Sequence, residues 1–305
     1  MSDVVSASYA HCQQIARQSG SSFFLSFFLL PAEKRRAMTA LYAFLRTADD
    51  LGDNLRPVAE RQQELDDFRK TLTVTLSGNP SGLIFPALLD TVQKYEIPHE
   101  YLFSALDGVE MDLGKNRYET FAELSEYCYR VASVVGLSCV RIWGISNEAA
   151  LQPATKCGLS FQLVNILRDL SEDAALDRCY LPQQELREFG YSFEQLRAGT
   201  VNSAWDSLMR FQTDRAERLF QEARELESFL TRDGRRVFGA MFETYHALLK
   251  EIARRPAGVL SQRIRVPRWK KWGLAAKWLA LRPRLIEANR ILLSPKGSKT
   301  TESAT

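Results

Sequence analysis

Apolar residues recur at helical spacing along most of this chain. In residues 35–46, RRAMTALYAFLR, the side chains of Met38, Leu41, Tyr42 and Leu45 fall at i, i+3, i+4 and i+7, which places them on one helix face. Pro31 stands a few residues upstream, where a helix can begin. Residues 60–76 repeat the stripe more weakly, and SGNPSG at 77–82 ends it with turn residues. The same reading predicts helices over 83–95, 100–114, 121–145, 147–174, 192–199, 201–231 and 234–254. Alternating β-branched patterns are scarce and no βαβ rhythm occurs. The pattern predicts an all-α fold, a single helical domain over 1–290 with a disordered tail at 291–305.

Composition narrows the class without naming a chemistry. At 45% hydrophobic and 25% charged residues, the 305-residue chain has ordinary globular usage, which excludes collagen-like and disordered classes. The five cysteines lack CxxC spacing and are expected to be small buried residues in a reducing compartment. The N-terminus lacks a charged stretch followed by an apolar one, so no signal peptide is expected, and the longest apolar run, at 23–30, is too short to span a bilayer. A cytoplasmic location is expected. The net charge is +3, but residues 252–286 hold ten Lys and Arg and no acid, so the rest of the chain stands at −7. Within 263–284, Trp269, Trp272 and Trp278 are interleaved with cations. Two readings follow: a peripheral contact with the anionic inner face of the cell membrane, or a basic helix packed on the acidic body. Nucleic acid is not an expected partner, because no reader motif accompanies the charge.

The candidate chemistry lies in two acidic stripes. Asp49 and Asp53 are four residues apart, so they share a helix face, where like charges repel. Gly52 between them costs a helix interior about 1 kcal/mol more. Gln162, Asn165, Asp169 and Asp173 fall at i, i+3, i+7 and i+11, one polar line on a helix whose other residues (Leu163, Val164, Ile166, Leu167, Leu170) are apolar. Such a helix is buried, and buried carboxylates are costly unless paired or bound to metal. Two such stripes facing one another can hold Mg²⁺, which takes oxygen ligands and commonly bridges carboxylates to substrate phosphates. Arg46, one turn before Asp49, and Arg168, beside Asp169, are candidates for direct contact with phosphate.

Four blocks in register extend this reading. SGSSFFLSFFLLP (19–31), ALYAFLRTADDLGD (40–53), YCYRVASVVGL (127–137) and FQLVNILRDLSEDAALDRCYLP (161–182) resemble the squalene/phytoene synthase family, over about residues 8–275. The resemblance implies an isoprenoid synthase bundle around a central apolar cavity. It also implies a Mg²⁺-dependent enzyme (with Mn²⁺ as an alternative ion) that joins two prenyl diphosphates head to head through their C1 carbons. Loss of diphosphate leaves an allyl cation, the second substrate's double bond attacks it, and loss of a proton closes a cyclopropane. By position, Asp49, Asp53, Asp169 and Asp173 take the metal. Ser22, Gln162, Asn165, Arg178 and Tyr180 bind substrate, and Tyr42, Arg46, Tyr127, Arg168 and Tyr245 are catalytic. Residues 131–136, VASVVG, resemble the small-residue kink that widens the prenyl tunnel, and Phe23, Phe24, Phe27, Val131, Val134, Val135 and Leu163 are candidates for its wall, with ordinary core packing as the alternative. Gly52, Asn54 and Asp177 depart from the family pattern.

The likeness first suggests the bacterial hopanoid-pathway enzyme that makes presqualene diphosphate from two farnesyl diphosphates. The alternative is phytoene synthase, acting on geranylgeranyl diphosphate. NADPH is implied only if a squalene-forming second step occurs, and downstream isoprenoid enzymes are the further partners suggested. Two other classes compete. A di-iron bundle needs two Glu-x-x-His motifs, and only Glu243 with His246 fits. A non-catalytic assembly protein on the same fold is expected to lack the aspartates, and all four are present.

Overall fold

The computed structural model describes residues 3–18 and 26–267, together with 269, 273, 274 and 276–278. Among these the chain is helical and forms no β-strand, as the periodicity predicts. The helices are α1 (Asp3–Gln18), α2 (Ala32–Asp53), α3 (Val58–Leu76), α4 (Phe85–Lys94), α5 (His99–Gly114), α6 (Phe121–Cys128) and α7 (Val134–Trp143). After these come α8 (Leu151–Ala175), α9 (Gln183–Glu188), α10 (Phe193–Arg197), α11 (Ser203–Ala223), α12 (Leu226–Phe229) and α13 (Arg232–Arg254).

Helix α2 buries Ala37, Met38, Leu41, Phe44, Ala48 and Gly52. These are steps of one, three and four residues, which keep one stripe on the core. Phe44 stacks on Phe68 of α3 at 5.4 Å between centroids, and Phe68 tilts against Phe85 of α4 at 5.2 Å. One aromatic seam thus joins three helices, and each buried ring contributes about 1.5–3 kcal/mol. Gly52 departs from the family pattern for a packing reason. A Cβ there would lie 2.5 Å from Val109 Cγ1 of α5, so glycine lets the acidic end of α2 close onto α5. The helix runs through Gly52 to Asp53, at the expense of intrinsic propensity.

The continuous helix expected over 121–145 is interrupted by a π-helical turn at Tyr129–Ser133, an element frequently found at functional sites. Two glycines clasp it. A Cβ at Gly158 of α8 would stand 2.4 Å from Ser133 Cα, and one at Gly108 of α5 would stand 2.7 Å from Val131 Cγ1. Ser133 Oγ also donates to Thr155 O of α8 at 2.9 Å. The helix expected over 201–231 likewise divides, with α11 ending at Ala223 and α12 starting at Leu226. Helices α1 and α9 have no counterpart in the periodicity. The core face of α1 is Ser8, Tyr9, Cys12 and Ala16, too polar to register as a stripe, and the six residues of α9 are too few to show a period.

All five cysteines are free and buried, as expected. No helix among the described residues is long and apolar enough to cross a membrane. His246 does not belong to a metal motif: its Nε2 lies 2.8 Å from Glu217 Oε2, and its ring stacks on Phe220. Of the basic segment, Ile264 and Val266 are buried and Trp269 is exposed. Lys277 Nζ donates to Glu243 Oε1 at 2.7 Å, and a Cβ on Gly239 would lie 2.2 Å from the Trp278 ring. Ile264, Val266, Lys277 and Trp278 therefore pack on the body, whereas Trp269 faces solvent. Trp272 and the tail at 291–305 lie outside the described residues.

Candidate active site

Three helices bring carboxylates to their C-terminal turns, Asp53 on α2, Asp112 on α5 and Asp173 on α8, with Asp49 and Asp169 one turn earlier. None has a basic residue in its last turn. An acid at a helix C-terminus meets the negative end of the macrodipole and is disfavoured there. The charge of Asp112 acts on Asp49 and Asp173, and that of Asp53 acts on Asp112, so the three ends meet. Both predicted stripes therefore share Asp112 of α5 as a neighbour, and α5 stands between them.

The cost is visible in the carboxyls themselves. Asp49 keeps an open outer edge, yet enough protein surrounds it that burial, and then the charge of Asp53, push its pKa up to about 7. Burial, and then Asp169, push Asp173 up to about 7 as well. Asp112 is also raised by burial, opposed by hydrogen bonds from two tyrosines. Tyr180 Oη donates to Asp112 Oδ1 and Tyr127 Oη to Oδ2, each at 2.9 Å. The two rings stack at 5.2 Å, with Tyr118 beside them at 5.3 and 5.9 Å. Buried beside a carboxylate, Tyr127 and Tyr180 hold their protons well above the usual phenol range. Their hydroxyls are committed to Asp112, so what they can offer a substrate is a ring face.

Along α8, Asn165 Nδ2 donates to Gln162 Oε1 at 3.2 Å. One turn on, Arg168 Nε donates to Asp169 Oδ1 at 2.7 Å, and Nη2 reaches Oδ2. Tyr245, from α13, stacks flat on Phe161 at 4.2 Å. Burial pushes its pKa up to about 12, against the pull of Arg168. Gln162, Asn165, Arg168, Asp169 and Tyr245 thus form one group that meets the aspartate cluster through Asp173.

The loop after α8 supplies the interior cation. Asp177 adopts φ +57°, the left-handed region that glycine usually fills and that Asp tolerates better than most residues. Arg117 Nη2 donates to its Oδ1 at 3.0 Å, and Asn116 Nδ2 donates to its carbonyl at 3.1 Å. The aspartate at this glycine position is therefore anchored from the segment after α5. Cys179 N donates to Asn116 O at 2.9 Å in the same bridge. This fastening aims Arg178 at Asp53, Asp112 and Asp173, whose charges raise its pKa against burial.

Arg46 pairs with Asp50, and its charge also acts on Asp49, partly offsetting the burial and Asp53 effects there. Tyr42 is half-buried, with its ring against the Phe27 edge at 6.3 Å, and among the described residues no hydrogen bond or ring contact ties it to the cluster. Of the chamber candidates, Phe27, Val134 and Leu163 are buried, and Val131 and Val135 pack partly buried against the core. Ser22, Phe23 and Phe24 lie outside the described residues. Sequence reasoning missed Asp112, Tyr118 and Arg263. A lone acid near the end of an amphipathic helix reads as solvent-facing, and only the packing of α2 on α5 turns Asp112 inward.

The donors suit a hard divalent cation. They are carboxylate oxygens, and the protein alone disfavours the ionised forms of Asp49 and Asp173. In addition, Asn165 Oδ1 is a buried carbonyl without a hydrogen-bond partner among the described residues, one turn before Asp169. No group of three His, Cys, Asp or Glu side chains among the described residues is set to enclose an ion. Mg²⁺ needs no such cage: it takes one or two carboxylates and fills its octahedron with water and phosphate oxygens.

The family model for squalene/phytoene synthase matches residues 16–270. The 15-cis-phytoene synthase of Synechococcus elongatus is 34% identical over 279 residues, covering 88% of this chain and 91% of that one. Among solved structures, a dehydrosqualene synthase superposes with a TM-score of 0.82 at 28% identity, covering 90% of this chain and 96% of that one. The squalene synthase HpnC of Alicyclobacillus acidocaldarius gives a TM-score of 0.79 at 26% identity, covering 85% and 97%. With four aspartate ligand candidates in register and a match of this length, the chain belongs to the squalene/phytoene synthase family of prenyltransferases.

Proposed function

We propose that this protein condenses two molecules of geranylgeranyl diphosphate head to head into phytoene, in a magnesium-dependent reaction that releases diphosphate. The observation that carries the reaction class is the approach of the Asp49/Asp53 and Asp169/Asp173 helix ends to half-buried Asp112. The choice of the twenty-carbon substrate rests on likeness: a phytoene synthase is 34% identical, whereas the solved dehydrosqualene and squalene synthases are 28% and 26% identical. This ordering reverses the first expectation from sequence, which placed farnesyl diphosphate and the hopanoid pathway ahead.

Asp49 and Asp53 would hold the ions from one side, and Asp169, Asp173 and Asn165 from the other. Magnesium, when bound, neutralises the charge that develops on the departing diphosphate. Arg178 and Arg168 lie where their guanidinium groups can take phosphate oxygens, with Arg46 at the rim. The rings of Tyr127, Tyr180 and Tyr245 present negative quadrupole faces suited to cationic carbon. Phe27, Val134 and Leu163, with Val131 and Val135, form apolar surroundings that keep water from an allyl cation.

The second reading, farnesyl diphosphate to presqualene diphosphate, draws on the structural likeness to the dehydrosqualene synthase. One experiment separates them. Purified protein with Mg²⁺ is given each prenyl diphosphate in turn, and the extracted product is weighed. A forty-carbon hydrocarbon from geranylgeranyl diphosphate, at a rate well above any farnesyl product, is expected. Presqualene diphosphate as the dominant product would move the protein to the second reading, and no diphosphate release from either substrate would remove the enzymatic one.

A further inference from the structure

The carboxylate of Asp169 is gripped from two sides, and the two grips differ in kind. Arg168 is its neighbour on α8, and its side chain is 18% exposed. Arg263 comes from the extended segment that follows α13. Its Nε lies 3.1 Å from Asp169 Oδ1, Nη2 donates to Oδ2 at 3.2 Å, and Nη1 lies 3.2 Å from Glu172 Oε2. One guanidinium therefore spans two acids of the second stripe. The backbone that carries it is fixed, because Ile264 and Val266 are buried on either side of Arg265. The side chain itself is 37% exposed, so it can swing into water with no change in the packing beneath it. Both oxygens of a predicted metal ligand are thus occupied by a cation on a flexible stem.

We infer that Arg263 is a charge placeholder: in the metal-free protein it neutralises Asp169 and Glu172, and it must leave before a divalent ion can use Asp169. The inference rests on the metal assignment made above. The physical reason is simple. Asp169 sits with Asp173, Glu172 and the C-terminal end of α8, where uncompensated negative charge destabilises the fold. A tethered arginine supplies compensation without closing the site, because an exposed ion pair is weak enough to be exchanged. Arg168 stays, since leaving would strand a largely buried guanidinium.

The test is Mn²⁺ binding to the full chain, read from the loss of the free-ion paramagnetic resonance signal, for wild type, Arg263→Gln, Arg263→Lys and Arg265→Gln. Arg265 is exposed, two residues away, and has no ion pair among the described residues, so it controls for net charge alone. Arg263→Gln is expected to bind Mn²⁺ roughly tenfold more tightly, the scale of one unit charge removed at contact distance from a partly hydrated site. Arg263→Lys, which keeps the charge but cannot span both acids, is expected to fall between Arg263→Gln and wild type, and Arg265→Gln to match wild type within about twofold. Equal or weaker binding by Arg263→Gln, or the same tightening in Arg265→Gln, overturns the placeholder role while leaving the metal assignment intact. Should Arg263→Gln fail to fold, Arg263→Lys decides: binding no tighter than wild type overturns the role. Absence of Mn²⁺ binding in wild type overturns the metal assignment and this inference with it.

Discussion

Asp49→Asn is expected to lower turnover by at least about a thousandfold while leaving the fold intact. A charged ligand to a catalytic divalent ion stabilises developing charge by several kcal/mol, and a loss of about 4 kcal/mol is a factor of a thousand. The same substitution is expected to raise the melting temperature of the metal-free protein. The pKa of Asp49 stands at about 7 in the fold, above the ordinary carboxylate value, because burial and Asp53 disfavour its charge. The folded state therefore binds that proton more tightly than the unfolded chain does. The associated stability is present below about pH 4 and is lost as pH rises through about 7. Asparagine removes the penalty, so the gain in melting temperature should be larger at pH 8 than at pH 5. Thermal melts at both pH values, with kinetics at saturating Mg²⁺, check the two halves. Unchanged turnover would contradict the metal assignment. A destabilised variant would mean that Asp49 has a structural partner the present contacts do not contain.

Gly158→Ala is expected to cost about 3 kcal/mol of stability, at the upper end of overpacking effects, and on the order of 5–10 °C in melting temperature. The added methyl would meet Ser133 Cα at 2.4 Å and Ser133 N at 2.7 Å. These are backbone atoms of the π-turn, which cannot rotate aside. Gly136→Ala is the internal comparison. Its Cβ would lie 3.6 Å from Ala154 O, an ordinary contact, and helix propensity gains about 1 kcal/mol, so it should be neutral or stabilising. If the two variants melted alike, the close crossing of α8 on the π-turn would not be a constraint on the fold. Because Gly158 and the acidic end lie on the same helix, α8, Gly158→Ala should also weaken substrate binding more than Gly136→Ala does.

Much of this was legible in the chain. The stripe through Met38 and Leu41 and the polar line from Gln162 to Asp173 are local patterns, fixed by the helical repeat, so their faces follow from spacing alone. Gly52 was readable only as a penalty. Its compensation is the approach of α2 to Val109, a residue 57 positions away in the chain, and no local pattern records such a contact. Asp112 was hidden for the same reason: what distinguishes it from a solvated acid is the pair of tyrosine hydroxyls on it, one of them 68 residues away. Asp177 was readable only as a departure from the family pattern, and the structure supplies the reason it is tolerated in the Arg117 and Asn116 contacts. The π-turn escaped because an inserted residue shifts the apolar stripe without ending it, so 121–145 reads as one helix.

The most direct measurement is calorimetric titration of inorganic pyrophosphate into the wild-type protein, with Mg²⁺ and then with chelator. If opposed acidic helix ends hold diphosphate only through divalent ions, binding should be readily measured with Mg²⁺ and vanish without it. Equal affinity in the absence of the metal would mean that arginines alone bind the phosphates, and the reading of the two aspartate pairs as metal ligands would be wrong.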